Sequence, residues 1–245
     1  MARTVLKFGG TSVADLDRIA NVADIVAARA EKGERMAVVV SAMSGETNKL
    51  VGYAEGAAGD ALPREQFDDE YDVVVASGEQ VTAGLLALAL RRRGLKARSW
   101  LGWQLRLKTN KSHGRARIMG FDDSTLPDAI DAGEIAVIAG FQGVTDDDRV
   151  ATLGRGGSDT SAVAVAAALE ASVCDIYTDV DGVYTTDPRI VARARKLDLV
   201  TYEEMLELAS YGAKMHPRSI ELGAMYNIPI LVTSSFTDTP GTLIH

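Results

Sequence analysis

Three stretches of this 245-residue chain combine glycine with a cation or with clustered carboxylates, each where a strand is expected to end. The first is Lys7-Phe8-Gly9-Gly10-Thr11-Ser12. Paired glycines let backbone N–H groups turn toward an anion, and a helix starting just beyond adds positive potential. Lys7 stands where its ammonium reaches the same anion; the plainer alternative is a tight turn beside a solvated lysine. The second stretch is Gly154-Arg155-Gly156-Gly157-Ser158-Asp159-Thr160-Ser161, leading into an Ala/Val-rich helical pattern with Ser158 or Asp159 as the expected N-cap. Its Arg155 offers a planar fork that holds a carboxylate or phosphate through two parallel bonds. Neither turn spells GxxxxGK(S/T) or GxGxxG, so P-loop and Rossmann readings lose their main support. Two glycine-plus-cation turns at corresponding strand ends are harder to take as unrelated than one would be.

The third stretch runs from Tyr177 to Arg189, YTDVDGVYTTDPR. Hydroxyls and carboxylates suit a ribose, a tyrosine packs on a base, and an arginine meets phosphate. An ordinary capped loop or a weak cation site has the same composition. Asp179 and Asp181 fall short of an EF-hand ligand set, which excludes dedicated calcium binding. Ser77-Gly78-Glu79 is expected to put a carboxylate at a helix start, for the dipole or for a substrate amine. Arg91-Arg92-Arg93 reads as a solvated helix C-terminus. His113, His216 and His245 share no metal-ligand spacing with Cys174, so no protein metal site is expected, and no Ser-His-Asp set can be proposed from chain order.

The elements that must position these groups follow from periodicity. Strands are expected at Thr4–Phe8, Met36–Ser41, Ala97–Leu101, Glu134–Ala139, Ser172–Thr178 and Ile228–Val232, several of them continuous Val/Ile/Ala runs of the kind covered on both faces. Helical patterns occupy Asp15–Glu31, Gln80–Arg92, Thr160–Glu170, Thr201–Tyr211 and Arg218–Tyr226, and Thr201 with Glu204 forms a capping box. This alternation predicts an α/β protein with a mostly parallel sheet. A hairpin is expected near Gly143–Ala151, and the boundary at 145–153 would divide one sheet into two lobes with ligands in the crevice between them.

Composition narrows the function classes. A net charge of −8 argues against nonspecific nucleic-acid binding, and a single cysteine forbids an internal disulfide, in keeping with a reducing cytoplasm. No uninterrupted apolar run approaches the roughly 18 residues of a membrane span, and no secretory leader is expected from the first residues.

Together these segments resemble the amino-acid kinase family, and within it the aspartate kinases. The resemblance rests on KFGGTSV (7–13), VSAMSGETN (40–48), SGE (77–79), GFQG (140–143), GRGGSDTS (154–161), YTDVDGVYTTDPR (177–189) and GAKMHPR (212–218). Ser234-Ser235-Phe236 and Pro240-Gly241-Thr242-Leu243-Ile244 complete it, so the matches run over essentially the whole chain. The chain departs from the pattern in having only Met215 between Lys214 and His216, where the family usually places two apolar residues.

The resemblance implies an αβα sandwich around a mainly parallel sheet, with an amino-acid-binding lobe over about 1–150 and a nucleotide-binding lobe over about 151–245. It implies transfer of the ATP γ-phosphoryl group to the β-carboxylate of L-aspartate, the first step of lysine, threonine and methionine biosynthesis, in a cytoplasmic homodimer. Mg2+ would be held mainly through the ATP phosphates. Lys7 and Lys214 would flank the migrating group, Gly9 and Gly10 would present N–H donors, and Asp159 would orient the amino acid and the lysines. Arg155 would clamp the α-carboxylate, Ser41, Thr47 and Ser158 would complete the pocket, and Glu79 would face the ammonium. Thr178, Asp179, Tyr184 and Arg189 would line the nucleotide site. Aspartate kinases usually continue into ACT domains; their absence from this chain predicts no lysine or threonine feedback by that route. The competing readings are an amino-acid kinase for another acceptor and a non-catalytic nucleotide-binding or regulatory module.

Overall fold

The computed structural model describes residues 2–121, 125–210 and 215–245. The chain runs β1 (Arg3–Phe8), α1 (Leu16–Glu31), β2 (Arg35–Val40), α2 (Glu46–Ala58), α3 (Asp68–Arg92), β3 (Ala97–Trp100), α4 (Gly102–Leu105) and β4 (Leu107–Thr109). It continues through β5 (Ile118–Phe121), α5 (Leu126–Asp131), β6 (Ile135–Ala139), β7 (Gln142–Val144), β8 (Val150–Thr152) and α6 (Gly157–Ala168). Then come β9 (Val173–Thr178), β10 (Val183–Tyr184), β11 (Lys196–Leu197), β12 (Leu199–Val200), α7 (Tyr202–Ser210), α8 (Pro217–Tyr226), β13 (Ile230–Ser234) and β14 (Thr242–Ile244). The expected strands and helices are all present, with ends shifted; Tyr211, the last residue of one expected helix, lies outside the described residues.

Eight strands form one sheet in the order β12-β14-β13-β9-β1-β2-β6-β3, with β14 antiparallel to β13 and the other pairs parallel. Within this sheet the strands before residue 150 (β1, β2, β6 and β3) lie on one side of the β9–β1 boundary, and the later ones (β9, β13, β14 and β12) lie on the other. The expected hairpin, β7 with β8, is present and falls between these two sets of strands in the chain, but it sits in a second sheet of order β5-β4-β7-β8 rather than in the main one. At β1–β9 the winding reverses, which is where open α/β sheets leave a crevice beyond the carboxyl ends of their strands.

Strand alternation assigns the faces. Val5, Ala37, Val39, Cys174 and Ile176 pack with residues of α5, α6, α7 and α8, whereas Leu6, Phe8, Met36, Val38 and Val40 pack with α1 and α3. Lys7 shares the face of Val5, and so projects toward α6. α3 is, among the described residues, the one helix long and apolar enough to cross a bilayer; half of its apolar window is buried inside the fold. It packs on α1, α2, β3 and β8, as a core helix does.

Two local expectations are corrected. Ser77-Gly78-Glu79 lies in the middle of α3, not at a helix start. A Cβ on Gly78 would stand 2.9 Å from the Ala42 Cβ, so this glycine permits close contact rather than breaking the helix. The N-cap of α6 is Gly156, left-handed at φ +70°, which places Ser158 and Asp159 inside the first turn. The capping box at Thr201 is present in both directions, Thr201 N donating to Glu204 Oε2 at 2.9 Å and Glu204 N to Thr201 Oγ1 at 3.2 Å.

Candidate active site

Beyond the carboxyl ends of β1 and β2 lies a cavity of ≈ 320 Å³. The end of β1 contributes Lys7 and the turn after it Gly10; the segment after β2 contributes Ser41 to Gly45, and the first turn of α2 Thr47; α3 contributes Glu79. The loop into α6 closes the other side with residues 154–159. Lys7 and Arg155 thus face one cleft, which is the juxtaposition the two glycine turns required.

Lys7 is buried, and its Nζ lies 2.6 Å from Asp159 Oδ1. Strand alternation and the α6 first turn bring these two together, and the pair holds the ammonium in one place without removing it from the cleft. Gly9 N–H donates to the Tyr177 carbonyl at 3.3 Å, tying the turn to β9, so Gly10 is the glycine of the pair that lines the cavity. A Cβ on Gly10 would come within 3.0 Å of the Ala42 carbonyl oxygen: the cradle has no space for a side chain there.

Glu79 is the electrostatic oddity. It is 3% exposed; Ala42 N–H donates to its Oε1 at 3.0 Å, while Oε2 is buried without a hydrogen-bond partner among the described residues. Burial pushes its carboxyl up to about 7, against the lowering effect of the Ala42 bond. A buried acceptor left unpaired in a polar cleft is costly unless a ligand supplies the donor. Arg155, which lines the same cavity, is exposed.

The remaining expected residues are distributed unevenly. Ser41, Thr47 and Ser158 line the cavity. Thr178 ends β9, its hydroxyl donating to Asp179 at 3.1 Å, and Tyr184 O–H donates to Asp181 at 2.9 Å. Arg189 grips Asp187 through Nε at 3.0 Å and Nη2 at 2.7 Å, with its side chain 80% exposed. These four residues lie off the cavity. Lys214 lies outside the described residues. His216 is described; its ring packs where a Cβ on Gly156 would point, and burial lowers its basicity.

Sequence reasoning missed Phe141. It lines the cavity at φ +67°, a conformation rare for a bulky residue, held by its N–H donating to Ser161 Oγ at 3.0 Å. Its position between two glycines after a strand was the available signal.

The profile of the Amino acid kinase family matches residues 2–234. The aspartate kinase of Pseudomonas fluorescens (strain SBW25) is 52% identical over the whole chain, which spans 59% of that protein's length. The aspartate kinase of Synechocystis superposes with a TM-score of 0.84 at 43% identity, covering 99% of this chain and 40% of the other. E. coli aspartokinase III, in complex with aspartate and ADP, gives a TM-score of 0.86 at 33% identity over 99% of this chain and 64% of its own. Fold, cleft and sequence agree: the chain belongs to the amino acid kinase family.

Proposed function

We propose that this chain is the catalytic domain of an aspartate kinase, transferring the γ-phosphoryl group of ATP to the β-carboxylate of L-aspartate and releasing 4-phospho-L-aspartate and ADP. The observation that carries this reading is the buried, unpaired Glu79 Oε2 in the same cleft as Arg155. An α-amino acid brings an ammonium for the first and a carboxylate for the second. An N-acylated acceptor has no ammonium to offer. The relatives named aspartate kinase, and the E. coli enzyme's complex with aspartate and ADP, support the same choice.

The chemistry asks little covalent work of the protein. The β-carboxylate is already ionised at neutral pH, so no general base is needed. Its oxygen forms the new bond to the γ-phosphorus, the bond from that phosphorus to the β,γ-bridging oxygen breaks, and that oxygen leaves with ADP. Catalysis is then alignment plus neutralisation of developing charge. Lys7 supplies a fixed positive charge, and Asp159 holds it. Ser41, Thr47 and Ser158 orient the amino acid; Gly10 leaves space for phosphate oxygens, while Gly9, whose N–H is taken by the Tyr177 carbonyl, fixes the turn; Lys214 is assigned as the second cation. Thr178, Asp179, Tyr184 and Arg189 are assigned to the nucleotide, whereas the amino-acid pocket draws on both sides of residue 150, through Arg155 and Ser158 as well as Ser41, Thr47 and Glu79.

Magnesium, bound with the triphosphate, supplies further charge neutralisation. Among the described residues no three His, Cys, Asp or Glu side chains form a metal-holding group, and Asp159 is already engaged with Lys7, so phosphate oxygens are the fitting ligands. By the same resemblance the setting is a cytoplasmic homodimer.

Coupled ADP release with L-aspartate, N-acetylglutamate, glutamate and UMP as acceptors tests the reading. Turnover is expected with aspartate. Turnover with another acceptor alone would overturn the substrate, and tight ATP binding without turnover would identify a non-catalytic module.

A further inference from the structure

Asp72 is a charged side chain buried to 0% exposure at the start of α3. It precedes Glu79 by two helical turns, so both carboxylates project from the same side of the helix. Its oxygens accept from Thr152 N–H at 2.9 Å, from the Thr152 hydroxyl, and from Gly114 N–H at 3.0 Å, with His113 Nδ1 at 2.8 Å. Thr152 ends β8 and directly precedes the glycine loop that presents Arg155. Gly114 backs the same loop: its carbonyl oxygen lies 3.2 Å from where a Cβ on Gly154 would stand. Within that loop Leu153 N–H donates to the Phe141 carbonyl at 2.9 Å.

We propose that Asp72 is a positioning residue for the Arg155 clamp, fixing through Thr152 and Gly114 the span between that guanidinium and the Glu79 carboxylate. One helix then carries both the partner of the ammonium and the anchor of the carboxylate clamp. The spacing it sets selects acceptors that bear the two groups on one carbon. This inference rests on the amino-acid reading of the cleft.

The test is D72N in the full chain, with steady-state kinetics and inhibition by 3-aminopropanoate, which is aspartate without its α-carboxylate. The amide replaces one acceptor oxygen by a donor facing N–H groups. The KM for L-aspartate should rise about tenfold or more, while the KM for ATP stays within about twofold and kcat within about threefold. The inhibition constant of 3-aminopropanoate should be unchanged, because it gives the clamp nothing to hold. Val22→Ala, a core change in α1 far from the clamp, should lower Tm without splitting the two KM values. Should D72N fail to fold, Thr152→Val removes only the hydroxyl donor, and the same split is expected at about threefold. An equal penalty for aspartate and 3-aminopropanoate, or a parallel rise in both KM values, would overturn the inference. A wild type active on aspartate alongside an indistinguishable D72N would also overturn it, leaving the proposed function intact. A wild type that phosphorylates no amino acid would overturn both.

Discussion

At the end of β1 the cation precedes its glycines and is buried; at the start of α6 the cation sits between glycines and is exposed. The glycines differ as well. Gly9 and Gly10 do not adopt left-handed backbone, and what Gly10 provides is approach, with the Ala42 carbonyl 3.0 Å from its missing Cβ. Gly154 and Gly156 are left-handed at φ +76° and +70°, so they provide shape. A buried ammonium held by Asp159 is preorganised for charge that develops during reaction. An exposed guanidinium on a shaped loop is suited to meeting a ligand carboxylate and releasing it. Under the proposed function, one turn therefore belongs to chemistry and the other to binding.

The largest expected effect tests that division directly. Lys7→Met should lower kcat at least about a hundredfold, the scale for losing one transition-state charge donor, with little change in the KM for aspartate. A variant that raised KM and spared kcat would reverse the roles of the two turns. Next in size are the glycines. Gly156→Ala places an L side chain at left-handed φ, costing about 1 kcal/mol, and its Cβ would fall 2.3 Å from His216 Cγ, an overlap worth about 1–3 kcal/mol more. Thermal melts should show Tm lower by several degrees. Gly9→Ala meets only ordinary contact, 3.4 Å from Lys7 Nζ, and should melt close to wild type. Equal losses at both positions would erase the distinction between shape and approach.

How much of this was legible in the sequence depends on what each element buries. β2 and β6 announce themselves because both faces are covered and each reads as an unbroken apolar run. α2 buries only Ala54 among the described residues and carries Gly52 and Gly56, so it offers no apolar period to detect. The first half of α3 was hidden for another reason: its buried positions include Asp72, Gly78 and Glu79, which read as polar loop until the fold supplies their partners. The site followed the same rule. Lys7, Arg155 and Asp159 were visible through their glycine context, and the cavity brings them together. Asp72 was not visible, since a five-way hydrogen-bonded carboxylate leaves no trace in residue type alone, and Phe141 was signalled only by the glycines around it, not by its own residue type.

Glu79 offers the finest division between the two turns, because it lies on the cavity but belongs to the binding side. In the free protein burial raises its carboxyl from 4.5 to about 7. The folded state therefore binds a proton that the unfolded chain has lost, and the stability this group contributes is present below about pH 4.5 and lost as pH rises toward 7. An ammonium reverses the preference, since it pairs with the ionised carboxylate. Aspartate must then displace a proton at pH 6 and need not at pH 8. Its KM should fall as pH rises toward 7, by at most about tenfold per unit, and level off above. The KM for ATP should stay flat across the same range, because the nucleotide side has no share in this proton. Glu79→Gln should raise the KM for aspartate and remove its slope. If both KM values instead moved in parallel with pH, Glu79 would be acting on the cleft as a whole, and the separation of binding from chemistry would fail at the one residue placed to report it.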